Sequence, residues 1–349
     1  MVTAALLLAA GAAGCSSSSP TGPTSGSTTT TAGSGSGGGA GSGGGSGTGA
    51  GSGTAAVRVD ATAASWHLGA GVSRAVVCTQ GTSLLVLGGL ATGDTSTDAV
   101  WTVDPAAGTA RRSGHLARAV HDAAGSCTSG GALVFGGGAA STVGTVQRWS
   151  PVGTRLLGQL PQPRSDLAAA ALGGRVYVVG GFDGTEMTAP ILATSDGTGF
   201  SVVGTLPVPV RYPAVAAAAG AIWVIGGQLG TGESSSTGGQ TDAIQRFDPA
   251  TGRTVVIGHL PEPLGHASAL ALGGRLFVAG GRVGTTASDR IWAVDTRSGQ
   301  VRAAGTLPGP VSDAGAAVVG TTGWLVGGEL SGPTAPLDTV VELRVAGGG

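Results

Sequence analysis

The chain repeats one short unit six times, and that repetition limits the folds open to it more than any other feature. The unit is clearest in LGGRVYVVGG at 172–181 and in its near-copy LGGRLFVAGG at 272–281. Looser copies are GTSLLVLGG at 81–89, SGGALVFGG at 129–137, AAGAIWVIGG at 218–227 and GTTGWLVGG at 320–328. Each is a short turn, an apolar run and a glycine pair. The first glycines fall at 88, 136, 180, 226, 280 and 327, giving spacings of 48, 44, 46, 54 and 47. A period of roughly 40–50 residues with strand-like content predicts a propeller rather than a helical solenoid.

Four strands are expected in each unit. The first is rich in Ala and Val, as in AAAA at 168–171, which suits inner strands crowded around an axis. The second is the apolar run before the glycine pair, β-branched or aromatic and of buried-strand length. The third leads into a turn, as in VWTVDPAAG at 100–108, QRFDPATG at 245–252 and IWAVDTRSG at 291–299. In the Asp-Pro turns, Pro presets φ, Asp binds the turn backbone and Gly takes the left-handed position. The fourth strand exits through GHL, GQLPQP, GTLPVP, GHLPEP or GTLPGP, whose prolines end strand pairing.

The glycine pair, the downstream Asp-Pro turn and the Leu-Pro-x-Pro exit together resemble Kelch repeats, over roughly residues 66–345. The fourth-strand Trp usual in that family is mostly replaced by Val or Leu. The resemblance implies an all-β, six-bladed propeller over residues 56–346, similar to the central domain of galactose oxidase. Trp66-His67-Leu68 reads as a fourth-strand exit with no preceding strands, whereas TVVELRV at 339–345 lacks a fourth strand after it. The N-terminal strand, about 57–68, is therefore expected to complete the C-terminal blade. Closure of this kind removes exposed edges.

Residues 4–13, AALLLAAGAA, are too short an apolar run to span a bilayer and suit a signal peptide over 1–14. Ala12-Ala13-Gly14-Cys15 resembles a bacterial lipoprotein signal, which implies lipidation of Cys15 and a membrane-anchored, extracytoplasmic protein. The alternative is ordinary secretion with cleavage nearby. Residues 15–55, almost pure Ser, Thr and Gly from 16 on, predict a disordered tether. A flexible coil of that length reaches about 35 Å end to end. The net charge is −1, all 18 basic residues are Arg, and only Arg111-Arg112 are adjacent, so no patch suits phosphates. Nucleic-acid binding is not expected. A monomer without a cofactor is expected.

Fourteen positions before each glycine pair stand Arg74, Asp122, Asp166, Tyr212, His266 and Asp313. They should ring one mouth of the central channel. Either this is a ligand site, because polar groups converge in a concavity, or it is an ordinary exposed loop-to-strand junction. Three Asp and one His could hold a cation, or hydrogen-bond sugar hydroxyls beside Tyr212. His67, His115 and His259 recur at one structural place and read as turn or cap residues. Asp104 and Asp248 read as structural turn residues. Cys78 and Cys127 lie 10 and 9 residues before their glycine pairs, on neighbouring inner strands. In an exported protein such a pair predicts a disulfide; two buried thiols are the alternative. The variable loops 182–187, 228–242 and 329–338 follow glycine pairs on one face and are recognition candidates.

No G-x-S-x-G, H-E-x-x-H or P-loop occurs. The expected function is a non-enzymatic, displayed binding or scaffold module recognising protein or glycan. The copper site of galactose oxidase needs more tyrosines than Tyr177 and Tyr212 provide. The Kelch resemblance leaves a sugar-active enzyme of the sialic-acid mutarotase type as the alternative. Asp122, Asp166, His266 and Arg74 could supply its acid and base groups.

Overall fold

The computed structural model describes residues 57–230, 239–330 and 335–347. The expected signal peptide, Cys15, the tether, most of loop 228–242 and part of loop 329–338 lie outside these residues. The described chain is all-β, with no helix among the described residues. Its strands form six four-stranded antiparallel sheets, the blades of a propeller.

The first blade shows the pattern: Val76–Gln80, Ser83–Leu87, Ala99–Asp104 and Thr109–His115 pair in chain order. Inner strands of successive blades neighbour one another, and that of the sixth returns to that of the first. The sixth blade breaks sequence order. It contains Gly315–Val319, Thr322–Val326 and Val340–Val345, and its outer strand is Val59–Ala63. The register runs from Val59 opposite Val345 to Ala63 opposite Val341. The N-terminal strand closes the ring, as the unpaired exit motif at Trp66 predicts.

Both faces of each second strand are packed, which is why it reads as a continuous apolar run. Leu85 and Leu87 join Val134 and Trp149 of the second blade in one core. Leu84 and Val86 of the same strand join Trp324 and Val326 of the sixth blade in another. The described residues form six such cores, each lying between adjacent blades. Burial that scales with apolar area therefore stabilises the contacts between blades.

Inner strands are small because they crowd. A Cβ on Gly125 would strike Val76, and one on Gly315 would strike Val77 of the next blade. Cys78 and Cys127 form a disulfide between the inner strands of the first two blades, with Cα atoms 5.4 Å apart. In the glycine pairs, the first residue has φ of 60° to 67° and the second 95° to 114°. Gly180 has a further constraint, since a Cβ there would sit 2.6 Å from the Val210 carbonyl oxygen.

The turn and exit residues act as expected. Asp104 accepts hydrogen bonds from the N–H groups of Ala106 and Ala107, both at 3.0 Å, and Asp248 accepts one from Ala250 at 2.9 Å. His67 pairs with Asp338 at 3.3 Å and His259 with Asp242 at 3.0 Å. In both cases the next residue, Leu68 or Leu260, donates its N–H to the same Asp backbone. The Asp turns and the first hairpin turns lie on one face, the glycine pairs on the other. Because Val59 is opposite Val345, the chain joins the propeller on the Asp-turn face.

Candidate functional site

All six predicted mouth residues come together, and they do so through the backbone first. Each lies two residues before its inner strand, in the left-handed region: Arg74 at 55°, Asp122 at 50°, Asp166 at 59°, Tyr212 at 51°, His266 at 59° and Asp313 at 55°. The N–H of each donates to the carbonyl of the one before, at 2.8 to 3.1 Å. Arg74 N–H donates to Asp313 at 2.9 Å and closes the circle. Asp and His tolerate this conformation better than most residues, which gives a structural reason for their frequency here. Arg and Tyr have no such excuse, and no blade uses Gly.

The side chains form a knot rather than an open ring. Arg74 reaches Asp122 and Glu329, both at 3.2 Å, and donates across the axis to the Tyr212 hydroxyl at 3.3 Å. His266 Nδ1 lies 2.7 Å from Asp313, and its ring stacks on Tyr212 at 3.9 Å between centroids. Arg211 pairs with Asp166 at 3.3 Å and lies over the rings of Phe182 and Tyr212. Arg282 pairs with Asp313 at 3.0 Å and with Glu329. The exposed polar junction of the sequence reading is corrected: Arg74 and Asp122 side chains are each only 5% exposed. They are buried because they meet on the axis and neutralise one another.

The electrostatics divide the mouth. Burial opposes charge on Asp313, but His266, Arg74 and Arg282 outweigh it and hold its carboxyl well below the usual range. Burial likewise works against the Arg74 cation, yet Asp122, Asp313, Tyr212 and Glu329 together hold it firmly protonated. Asp166 goes the other way. Burial, then repulsion from Asp122, pushes it up to about 7 despite Arg211.

The packing divides the mouth too. The residues after the glycine pairs of blades four to six are Gln228, Arg282 and Glu329, and their long side chains fold inward onto His266, Asp313 and Arg74. Their counterparts in blades one to three are Leu90, Gly138 and Phe182. A cavity of about 350 Å³ remains over that half, lined among others by His121, Asp122, Asp166, Phe182 and Arg211. On the channel side the six mouth residues border a cavity of about 180 Å³ whose remaining wall is mostly Ala and Val of the inner strands. No group of three or more His, Cys, Asp or Glu forms a metal set among the described residues.

The sequence reading missed His121, Arg211 and Arg282, and held Gln228 and Glu329 only as the first residues of variable loops. All occupy two repeat positions, immediately before the mouth residue and immediately after the glycine pair, which bridge each other in every blade. Aligning those columns would have exposed them.

A Kelch motif matches residues 163–193 and 263–308, which cover the third-blade and fifth-blade glycine-pair strands. The chain is a six-bladed β-propeller with Kelch motifs in its third and fifth blades. A solved structure, YjhT, is similar to this Kelch propeller with a TM-score of 0.69, covering 81% of this chain and 97% of its own. At 15% identity the likeness is one of fold. No curated protein matches the chain. Solved chains matching the Kelch propeller number 716, so the scaffold alone selects no chemistry.

Proposed function

We propose that this Kelch propeller is an extracytoplasmic, membrane-anchored binding module that seats a protein or glycan ligand at its glycine-pair mouth. Lipidation of Cys15 would supply the anchor and residues 15–55 the tether. One observation carries the binding reading. Six non-glycine residues in the left-handed region bring six polar side chains to one mouth, beside a 350 Å³ cavity left open over blades one to three. Strained conformations held by a rigid scaffold are concentrated at ligand sites. Arg211, fixed between Phe182 and Tyr212, presents a directional donor, and the ring of Phe182 offers an apolar edge.

The test is ligand-induced thermal stabilisation across a glycan panel, in the parent and in Phe182→Ala and Arg211→Gln. Stabilisation confined to the parent supports the mouth; equal stabilisation of all three places the ligand elsewhere. Incorporation of labelled palmitate, lost in Cys15→Ala, tests the anchor.

A second reading, a sugar-active enzyme of the mutarotase type, is favoured by Asp166. A carboxyl that titrates at about 7 inside a cavity is poised to give and take a proton at neutral pH. Anomer exchange of a free sugar, followed by NMR, would accelerate with the parent and not with Asp166→Asn. No acceleration by the parent would dismiss this reading.

A further inference from the structure

We propose that the Asp-turn end of the propeller is a docking surface for a membrane of anionic lipids. This goes beyond the mouth and its ligand, and it does not depend on lipidation of Cys15.

The arginines are scattered in sequence, but the fold sorts them. Second and fourth strands begin at the Asp-turn end, and third strands finish there. Arg175 and Arg275 open second strands. Arg253 opens a fourth strand, and Arg155 and Arg302 lie near the start of two others. Arg58 directly precedes the closing strand Val59–Ala63. These six are exposed, and none forms a salt bridge among the described residues. Arg297, in the turn after Arg290–Val294, and Arg344, near the end of Val340–Val345, add two more exposed guanidinium groups.

Carboxylates at this end are fewer. They are Asp60, Asp104, Asp196, Asp248 and Asp295, with Glu342 further in and paired to Arg344. The last four aspartates accept N–H groups of their own turns, from Ala106, Thr198, Ala250 and Arg297, so turn geometry fixes their place. The mouth end has the opposite sign. Asp98, Asp242, Asp289 and Asp338 stand at the starts of third strands and add to the carboxylates of the knot, against Arg118 and Arg290 outside it. The net charge of −1 therefore conceals a polarised molecule, cationic where the chain enters and anionic at the mouth.

Protection of open edges explains some of these arginines, since charge on an edge strand resists pairing with another sheet. It does not explain Arg175, Arg275 or Arg297, which lie on second strands and in a turn.

The exposed apolar side chains collect at the same end, and they decide between a membrane and a soluble polyanion. Val152, in the turn between the third and fourth strands of the second blade, is 94% exposed. Leu156, Val202, Val255 and Val256 are all exposed and lie within the first four residues of their outer strands. A hydrated polymer gives such side chains nothing to bury against. A lipid interface takes both kinds of group, because adsorption there scales with buried apolar area and with attraction to anionic headgroups. Arg275 and Arg302 also line one cavity of about 450 Å³, with Val57 and Ala293 in its wall. A lipid phosphate seated there would accept charge-assisted hydrogen bonds from guanidinium groups above an apolar floor. Docking by this end holds the mouth away from the bilayer.

The experiment is flotation of the full chain with vesicles of phosphatidylglycerol and phosphatidylcholine, and with vesicles of phosphatidylcholine alone. The apolar run 4–13 acts on both alike, so the difference between them reads the charged end. The parent should favour the anionic vesicles, and raised salt should reduce that preference. Arg275→Gln with Arg302→Gln should weaken anionic-vesicle binding about 30-fold, and Val152→Asp several-fold. These are exposed positions, and an unchanged melting midpoint would confirm that the variants fold. Arg211→Gln, at the mouth, should bind as the parent does. Equal binding to both vesicle types, or a preference that survives the double Arg variant, would overturn the proposal. Binding of soluble polyphosphate without binding of anionic vesicles would overturn the membrane and assign the surface to a polymer. Failure of the palmitate or glycan tests would refute the anchor or the mouth ligand and leave this surface unchanged.

Discussion

The backbone N–H of Arg74 donates to the carbonyl oxygen of Asp313 at 2.9 Å, bonding the first blade to the sixth at the channel mouth. The same two residues interact again through their side chains, Nε to Oδ1 at 3.9 Å. Arg74 is also bound to Asp122, Tyr212 and Glu329. Changing Arg74 to Ala would leave Asp122, Asp313 and Glu329 buried beside a void. A loss of about 3–5 kcal/mol is expected, as for other broken buried pairs. Urea denaturation of the parent and variant measures it.

Closure by Val59–Ala63 makes a second prediction. A chain beginning at Ser65 lacks the outer strand of the sixth blade and the Val59 side chain that packs against Ile291 and Ala304. Loss of strand pairing and of that burial should cost several kcal/mol, at least about 3. The melting curve of the shortened chain would show it. An unchanged midpoint would mean that the ring does not need its clasp.

The Cys78–Cys127 bond spans 49 positions. Loop-closure entropy for a ring of that size corresponds to about 4 kcal/mol of stabilisation. Reduction should lower the melting midpoint, and thiol alkylation should label Cys78 and Cys127 only after reduction. Labelling of both without reductant would contradict the bond.

Stability should depend on pH in opposite senses at two mouth carboxyls. Asp313 is held below its ordinary value of 3.8, so its contribution is present above that value and is lost as the pH falls below it. Asp166 is raised from 3.8 to about 7. Its folded form binds the proton more tightly than its unfolded form, so it costs stability as the pH rises from about 4 to about 7. Three units correspond to an upper figure of about 4 kcal/mol. Denaturation across that window should show the decline in the parent and a flatter profile in Asp166→Asn.

Two glycines within LGGRVYVVGG should respond differently to Ala. Gly173 at φ 59° has nothing within 4 Å of a new Cβ, so only its left-handed conformation resists, at about 1 kcal/mol. Gly180 at φ 65° would also push a Cβ to 2.6 Å from the Val210 carbonyl, and should cost about 3 kcal/mol or more. Equal losses would show that the close approach is relieved by a backbone shift.

Much of this was legible in the sequence because propeller geometry is periodic. Glycine pairs, Asp turns and exit leucines mark where each strand stops, and the orphan motif at Trp66 marks the seam. The disulfide was legible because Cys78 and Cys127 occupy near-equivalent places in adjacent repeats. The knot was not. A repeat position shows where a Cα lies, but Arg74 crosses the axis to Tyr212 only because its side chain is long and its acceptors converge. Glu329 and Arg282 were hidden for a related reason, since they follow glycine pairs in loops that look free to vary. Arg164 is plainer still. It stands where the other blades carry Val or Leu, yet it is 1% exposed and donates to the Pro190 carbonyl at 2.9 Å. Nothing in the surrounding residues announces a buried cation there.

The chain joins the propeller at Val59, on the Asp-turn face, and the knot of Arg74 lies at the opposite one. The two ends of the molecule thus have separate uses. A coupling made through the segment entering at Arg58 would be made on the face opposite the mouth. The Ala346 N–H donates to the Arg58 carbonyl at 2.8 Å, so the described chain enters and leaves the propeller on one face. Attachments made at either point therefore leave clear the surface where ligand is sought.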